Sequence, residues 1–316
     1  MKFSKLEATG NDFILVDART PLYYPVIEPS DSYHPKKLKQ VKNIAPNRID
    51  EESLWAKLAQ SMCKRRFSIG ADGLILVQNS DIADLKMRII NSDGSEAETC
   101  GNGLRCFTKY VIESGIINKT NFTIETLSGI RKSKAYVSGA KVNRVKVSMG
   151  FPQFGAEQIP IVHTTNTIAS ERAQQFPLAT NQIVINSYTL SVSSLSIGNP
   201  HTIAFTSDPV ANFPLIDIGP KIERHSLFPQ RTNFEIARIL DRAKIEARVW
   251  ERGVGETFAC GSGACAIAIV AQLLGLVDVQ VDITFSGGVL TIHWDRVGEV
   301  FLSGPVENVF NGEYQL

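Results

Sequence analysis

The chain has 316 residues, of which 43% are hydrophobic and 21% charged, the composition of an ordinary globular protein. Its length suggests two domains, and its composition excludes a disordered chain, a collagen-like repeat and a disulfide-dense miniprotein. With 33 Lys and Arg against 32 Asp and Glu, the formal net charge is +1, so nucleic acid is not an expected partner.

No apolar run reaches the roughly 18 residues that a membrane helix needs. The longest candidate, Ala264 to Val277, is interrupted by Gln272 and Gly275. The N-terminus turns polar at once and lacks the apolar core of a secretory signal. The five cysteines are an odd number, which does not favour a secreted disulfide framework. We therefore expect free thiols, a cytoplasmic location and no membrane association.

Short runs of β-branched and aromatic residues, bounded by turn residues, predict strands along the whole chain. These runs are Phe13 to Val16, Leu74 to Val77, Lys86 to Ile90, Phe122 to Glu125, Arg144 to Ser148, Ile183 to Ile185, Ala247 to Trp250, Val281 to Phe285 and Val289 to His293. Helical periodicity instead predicts three helices, over Glu51 to Lys64, Gly103 to Glu113 and Gly263 to Leu274. A proline-rich polar segment at 20–50 predicts a long surface excursion, and a second irregular stretch covers about 160–180.

One approximate internal repeat is the most informative feature of the sequence. Residues 98–103 read Glu-Thr-Cys-Gly-Asn-Gly, and residues 256–263 read Glu-Thr-Phe-Ala-Cys-Gly-Ser-Gly. Each copy leads into an apolar helix that stops at a glycine. The repeat predicts two similar halves, each with a cysteine, Cys100 or Cys260, at the start of a helix.

A cysteine at a helix N-terminus lies among unpaired backbone N–H groups and the positive end of the helix dipole, which favour the thiolate. The adjacent residues, Gly101 with Asn102 and Gly261 with Ser262, offer N–H donors to an anion such as a carboxylate. Two such turns can bring a thiol to each face of one ligand. One thiolate could then remove a proton from a carbon next to a carboxylate while the other thiol returns one with inversion.

The cysteines also allow other readings. Cys63, Cys106 and Cys265 are expected to be small buried apolar residues without a role. The absence of a Cys-x-x-Cys pair disfavours zinc, so no metal is expected. A redox disulfide between Cys100 and Cys260 stays compatible with two apposed thiols.

Several polar residues beside glycine or proline complete the candidate site, although asparagine there is also a common turn former. They are Asn11, Asn91, Asn199, His201, Asn233, Glu251 and Arg252. Arg252 could bind a carboxylate in bidentate fashion. His201 and Glu251 are either a solvated pair or groups that set the protonation of the thiols.

Taken together, these motifs resemble the diaminopimelate epimerase family nearly from end to end. The matching segments are Thr-Gly-Asn-Asp-Phe (9–13), Ile-Gly-Ala-Asp-Gly-Leu (69–74), Asn-Ser-Asp-Gly-Ser-Glu (91–96), Cys-Gly-Asn-Gly-Leu-Arg-Cys (100–106), Gly-Asn-Pro-His (198–201), Phe-Pro-Gln-Arg-Thr-Asn (228–233), Glu-Arg-Gly-Val-Gly-Glu-Thr (251–257) and Ala-Cys-Gly-Ser-Gly-Ala-Cys (259–265).

The resemblance implies an α/β fold of the α+β type, with two pseudo-symmetric domains and the active site in the cleft between them. Each domain would be a mostly antiparallel sheet wrapped around a central helix. We expect the N-terminal domain at 1–145, the C-terminal domain at 146–302, and a tail at about 303–316 that returns to the first domain.

The resemblance also implies the roles of the site residues. Cys100 and Cys260 would be the acid/base pair of a cofactor-independent isomerase, with His201 and Glu251 tuning the thiols. The substrate would be held by Asn11, Asn91, Gly101, Asn102, Asn199, Asn233, Glu251, Arg252, Gly261 and Ser262. The implied reaction interconverts LL- and meso-diaminopimelate in lysine and peptidoglycan-precursor synthesis.

Two other functions stay open from the sequence. The same thiol pair could serve a racemase of another amino acid, such as histidine, and a thiol redox or amino-acid-binding protein is a third class. In each case the expected partner is a small molecule. Whether the chain forms a homodimer is left open as well.

Overall fold

A computed structural model of the chain describes residues 1–20, 51–98, 100–162, 166–167, 176 and 178–315. In the first half, the strands are β1 (Lys2–Ala8), β2 (Asn11–Asp17), β3 (Gly73–Gln78), β4 (Leu85–Asn91), β5 (Glu96–Ala97), β6 (Asn121–Thr126), β7 (Gly129–Ser138) and β8 (Lys141–Gly150). The helices of this half are α1 (Glu51–Met62) and α2 (Gly101–Glu113).

The second half repeats this order of elements. Its strands are β9 (Asn166–Thr167), β10 (Ala179–Ile185), β11 (Tyr188–Ser196), β12 (Pro200–Phe205), β13 (Asn233–Asp241), β14 (Lys244–Glu251), β15 (Gly255–Thr257), β16 (Gln280–Phe285), β17 (Gly288–His293), β18 (Val300–Pro305) and β19 (Glu307–Glu313). Its helices are α3 (Leu215–Glu223) and α4 (Gly261–Leu273), and a short 3-10 turn covers Val210–Asn212.

Strand pairing shows the pseudo-symmetry directly. In the first half, β2 runs parallel to β3, β3 antiparallel to β4, and β4 parallel to β6, followed by the antiparallel pairs β6–β7 and β7–β8. In the second half, β12, β13, β14, β16, β17 and β18 pair in the same order and with the same directions. The two cysteine turns therefore occupy corresponding positions in the two halves.

Two pairings join the halves into one continuous sheet. The antiparallel pair β8–β18 connects them at the centre, and β19 returns to the first half, where it pairs with β1. The return of the tail was expected from the sequence. The domain boundaries themselves stay a prediction.

Each central helix lies inside its half. Helix α4 is apolar on every face from Ala264 to Ala271, and its side chains are almost all buried, as expected for a helix enclosed by a sheet. Helix α2 buries Leu104, Phe107 and Val111 against β8 and its neighbours. This packing fixes where each helix begins, and therefore where each cysteine lies.

The structure confirms the three predicted helices and all of the predicted strands, with ends that differ by a few residues. It also contains α3, a helix that the sequence analysis did not predict. Gly219 and Pro220 lie inside this helix and hide its pattern. Within the described ranges, no helix is long and apolar enough to cross a membrane. The predicted excursion at 20–50 and most of 160–180 lie outside the described residues.

Candidate active site

Both repeat cysteines are the N-cap residues of their helices. Cys100 and Cys260 have extended backbone conformations, and each sulfur accepts a hydrogen bond from the N–H group of the third helical residue, Gly103 or Gly263, at 3.4 Å. A sulfur in this position is exposed to the positive end of the helix dipole. The predicted location of both thiols is confirmed.

The two helix N-termini meet at the junction of the halves. A Cβ atom placed on Gly261 would lie 3.6 Å from the Cα of Gly101 and 3.9 Å from Oδ1 of Asn102. The absence of side chains at both glycines lets the backbones approach this closely. The N-terminal turns of α2 and α4, one from each half, therefore lie side by side, and each carries a cysteine.

Polar groups of the first half surround Cys100, which is half-buried. Its thiol donates to Oδ1 of Asn11 at 3.6 Å, and Nδ2 of Asn102 donates to the same oxygen at 3.4 Å. Nδ2 of Asn11 donates to Asp72 at 2.6 Å, which fixes the orientation of the Asn11 amide. Burial raises the pKa of the Cys100 thiol, and the backbone N–H groups of Gly103 and Asn102 oppose this rise.

Cys260 is more buried and lies among carboxylates. Burial raises the pKa of its thiol well above the ordinary value, and the negative charges of Glu251 and Glu235 raise it further. The Ser262 hydroxyl, 3.5 Å from the sulfur, acts in the opposite direction. Burial also raises the pKa of Glu251, whose carboxylate accepts a hydrogen bond from the Thr257 hydroxyl.

A chain of polar contacts runs from Glu235 through His201 to Asn199. Oε1 of Glu235 lies 2.6 Å from Nδ1 of His201, and both side chains are fully buried. Nε2 of His201 lies 2.9 Å from Oδ1 of Asn199. These two contacts, one at each ring nitrogen, hold the imidazole of His201 in one orientation. The predicted pair His201 and Asn199 therefore lies together, supported by a residue that the sequence analysis did not select.

The other predicted substrate contacts have structural partners. The Asn233 amide is buried, donates to the Pro200 carbonyl at 2.7 Å and accepts from the backbone N–H of Arg252 at 2.9 Å. The Arg252 guanidinium is exposed and donates to the carbonyl of Gln230 at 3.2 Å. Asn91, at the end of β4, donates to the Ser95 hydroxyl at 3.0 Å. Their contacts with a substrate stay predictions.

Two buried charges near the thiols were not selected from the sequence. Glu235 lies in the apolar strand β13, and Arg105 lies in the first turns of α2, where its guanidinium is fully buried. Each is a charged residue among apolar neighbours in the sequence, and this pattern could have marked Glu235 and Arg105 as candidate site residues. Periodicity alone does not reveal which charges are buried near a site.

The remaining cysteines are buried, as expected. Burial raises the pKa of Cys63 to about 12, and it also raises the pKa values of Cys106 and Cys265. None of the five cysteines is in a disulfide. Across the described ranges, no group of three or more His, Cys, Asp or Glu residues could hold a metal ion.

Comparison with known proteins gives a family match over most of the chain. The family model described as diaminopimelate epimerase matches residues 40–155 and 193–309. The chain is 40% identical over 316 residues to the diaminopimelate epimerase of Caldanaerobacter subterraneus subsp. tengcongensis, with all of both chains covered. It is also 40% identical to the diaminopimelate epimerase of Moorella thermoacetica, again over the whole of both chains.

Solved structures resemble the fold at much lower sequence identity. A Bacillus anthracis phenazine biosynthesis protein of the PhzF family superimposes with a TM-score of 0.65 and 17% identity. The match covers 100% of this chain and 99% of that one. It supports the two-domain α+β architecture expected from the sequence.

Proposed function

This chain belongs to the diaminopimelate epimerase family, and from that premise we propose how its residues carry out the reaction. The protein is an isomerase that interconverts LL- and meso-diaminopimelate. The main observation behind the proposed mechanism is the close approach of the two cysteine turns, Gly101 and Gly261, from opposite halves.

In the proposed reaction, one cysteine is a thiolate and the other a thiol. The thiolate removes the α-proton from one face of the substrate, and the thiol delivers its own proton to the opposite face. The configuration is inverted, and each sulfur ends in the state in which the other began. The pair then returns to its first state by exchanging protons with solvent. We propose that Cys100 and Cys260 supply all of this acid/base chemistry without pyridoxal phosphate or a metal.

The α-proton of an amino acid is much less acidic than a thiol, so the negative charge that develops on the carboxylate must be stabilised. We propose that the N–H groups of Gly101, Asn102, Gly261 and Ser262 bind that carboxylate. The N-terminal ends of α2 and α4 support this assignment, because both add positive potential at the same point. These donors are held by buried helices and need little reorganisation during the reaction.

We propose that the remaining polar residues hold the rest of the substrate and tune the thiols. Asn11, the first residue of β2, and Asn199, the residue before β12, occupy corresponding positions in the two halves, and Asn11 also accepts from the Cys100 thiol. Glu251 contacts Cys260, and its negative charge also acts on Cys100. His201 acts through its contacts with Glu235 and Asn199. Asn91, Asn233 and Arg252 are assigned to the distal end of the substrate.

The unpaired cysteines support a reducing compartment, and we propose a cytoplasmic enzyme of lysine and peptidoglycan-precursor synthesis. We further propose that it forms a homodimer. The outward side chains of Val309 and Phe310 on the edge strand β19 support an intermolecular contact. Light scattering after size-exclusion chromatography should give about twice the monomer mass, and a monomer at micromolar concentration would contradict the dimer.

The test of the mechanism uses LL-diaminopimelate in heavy water, with purified reduced protein and no added cofactor. We expect deuterium at the α-carbon by mass spectrometry together with meso product by chiral chromatography. The Cys100→Ala and Cys260→Ala variants should lose epimerisation. Cys63→Ala is the matched control, since Cys63 is also buried but lies elsewhere. Full activity in either of the first two variants would refute the two-thiol mechanism, and exchange only with another amino acid would reassign the substrate.

A further inference from the structure

Arg105 is a fully buried cation without a buried anion to match it. Its Nε donates to the carbonyl of Pro305 at 3.1 Å, its Nη1 to the carbonyl of Gly101 at 3.3 Å, and its Nη2 to the Thr9 hydroxyl at 3.0 Å. All three acceptors are neutral, and Arg105 makes no ion pair with a carboxylate in the part of the chain that the structure describes. Burying such a charge is costly, so its position calls for an explanation.

The chain is built to accommodate this guanidinium. A Cβ atom on Gly304 would lie 3.1 Å from Nε of Arg105 and 2.7 Å from Cδ2 of Leu290, so only glycine lets β18 pass over it without displacement. The three hydrogen bonds hold the guanidinium against the first turn of α2, directly behind Gly101. Its positive charge therefore adds to that of the helix N-terminus on which Cys100 lies.

The corresponding position in the second half carries no charge. Arg105 is five residues after Cys100, and the residue five after Cys260 is Cys265, which is fully buried and apolar in character. The second half thus supplies no cation of its own at the position equivalent to Arg105. Both helices begin with the same cap geometry, so the environments of Cys100 and Cys260 can be compared directly.

The acidic groups show the opposite distribution. The first residues of the equivalent strands β3 and β13, Gly73 and Asn233, align the two halves. Gly73 pairs with Phe13 and Asn233 pairs with His201, so His201 corresponds to Phe13. In the same register Glu235 corresponds to Ile75, and Glu251 at the end of β14 corresponds to Asn91 at the end of β4. The half that carries Cys260 therefore has the carboxylates of Glu235 and Glu251 at the two positions where the half that carries Cys100 has an apolar residue and an amide.

We infer that Arg105 is a positioning residue that makes Cys100, rather than Cys260, the thiol that ionises first in the substrate-free enzyme. This inference rests on the proposed function of the two thiols. Arg105 does not touch the substrate, because its three nitrogens are enclosed and already bonded. It acts on the proton of Cys100 through space and through the Gly101 turn that it holds.

The charged groups that act on the two thiols differ. Cys100 faces Arg105 from α2 and Glu251 from β14. Cys260 faces Glu251 from β14 and Glu235 from β13, with His201 of β12 bonded to Glu235. Glu251 disfavours ionisation of both thiols, so the difference between them comes from Arg105 on one side and from Glu235 with His201 on the other. The neutral groups Asn11 and Ser262 do not reverse it.

The test measures ionisation without requiring turnover. Reduced protein is alkylated briefly with iodoacetamide from about pH 6 to about pH 11, and mass spectrometry then quantifies modification at Cys100 and Cys260 separately. Cys260 is more buried than Cys100, so the reagent reaches it less easily whatever its ionisation. The comparison therefore uses the midpoint pH of each alkylation profile and not the alkylation rate. In the wild-type protein we expect the Cys100 midpoint to lie at least about one pH unit below that of Cys260.

Variants identify the source of the difference. Arg105→Gln should raise the Cys100 midpoint by about one pH unit, equivalent to about tenfold slower alkylation at a fixed lower pH, and should move the Cys260 midpoint less. Arg105→Lys, which keeps the charge, should retain most of the wild-type profile. Arg131→Gln is the matched control, because the partly buried Arg131 guanidinium also donates to a neutral acceptor, the Ser128 carbonyl, and no charge interaction links it to either thiol. It should leave both midpoints unchanged.

Two results would overturn the inference: a Cys260 midpoint below that of Cys100 in the wild-type protein, or an unchanged Cys100 midpoint in folded Arg105→Gln. If that variant does not fold, Arg105→Lys decides, and a Cys100 midpoint raised by about one pH unit in that charge-retaining variant would also overturn the inference. Epimerase activity on LL-diaminopimelate is measured on the same preparations. An active wild-type enzyme with the reverse order refutes only this inference, whereas an inactive one with the expected order refutes the proposed function.

Discussion

Replacing Glu235 with glutamine tests how strongly a buried carboxylate controls Cys260. A Cβ atom on Gly263 would lie 2.7 Å from Oε1 of Glu235 and 3.4 Å from Sγ of Cys260. These two atoms are therefore no more than about 6 Å apart, and at an effective dielectric constant of about 20 two unit negative charges repel by about 3 kcal/mol. We expect Glu235→Gln to make Cys260 ionise about one to two pH units lower.

The same substitution should weaken the fold by a smaller and separable amount. The 2.6 Å contact between Glu235 and His201 is a charge-assisted hydrogen bond, and glutamine replaces it with a neutral one. The expected loss is about 1–2 kcal/mol in the free energy of unfolding. Urea denaturation measures this loss, and alkylation of Cys260 as a function of pH measures the electrostatic effect.

Glu223→Gln is the matched control for this prediction. Glu223 is also a buried carboxylate of the second half, but it accepts from the indole of Trp250 at 2.8 Å and from the backbone N–H of Gly253 at 3.1 Å. It should lose stability without a change in the Cys260 profile. If Glu235→Gln also left that profile unchanged, the charge of Glu235 would be cancelled by an imidazolium on His201, and the reasoning would be wrong.

Three further predictions concern stability and packing. Burial disfavours the charged form of Asp12, but hydrogen bonds from Arg65 and Lys5 outweigh it and hold its pKa below the ordinary value. Its charge therefore stabilises the fold above the unfolded-state pKa of about 4, and this contribution disappears as the pH falls through the lower folded-state pKa. Asp12→Asn should lower the free energy of unfolding by about 1–3 kcal/mol at pH 7, and equal stability of the two proteins at that pH would count against it. Cys63→Ala should cost about 1 kcal/mol in urea unfolding while kcat stays near wild type, and a large loss of kcat in folded protein would give Cys63 a role. Gly287→Ala would bring a Cβ atom to 2.4 Å from the Thr9 carbonyl, so thermal unfolding should report a loss of about 1–3 kcal/mol, and an unchanged Tm would show that the turn adapts freely.

The sequence was sufficient to predict the two cysteine turns, because Cys-Gly-x-Gly before an apolar periodic segment is a local signal. Both helices begin within two residues of their predicted starts, and both cysteines are N-caps. Nine of the nineteen described strands were predicted in the same way, since alternation and turn residues are also local, but others, such as β12 and β13, were not. What could not be read locally was the approach of Gly261 to Gly101, which depends on the pairing of β8 with β18 far apart in the chain.

Helix α3 was missed because Gly219 and Pro220 interrupt its pattern, although the internal repeat contained the information. Helix α1 lies between β2 and β3, so the same repeat predicts a helix between β12 and β13. Gly219 itself has a packing reason, because a Cβ atom there would lie 2.7 Å from the Trp250 ring. Local propensity and tertiary packing disagree at this position, and packing prevails.

The unequal charges around the two thiols raise the question of how one enzyme can serve both directions of a reversible reaction. The equilibrium between LL and meso forms is a property of the substrates, so it fixes the ratio of kcat/KM in the two directions at any pH. A cation behind Cys100 therefore cannot favour one product at equilibrium. It can only change the fraction of free enzyme in which Cys100 is the thiolate and Cys260 the thiol, relative to the fraction with the reverse arrangement. Each direction of the reaction requires one of these two arrangements. Arg105→Gln must accordingly alter kcat/KM by one common factor in both directions, while the two kcat values are free to diverge.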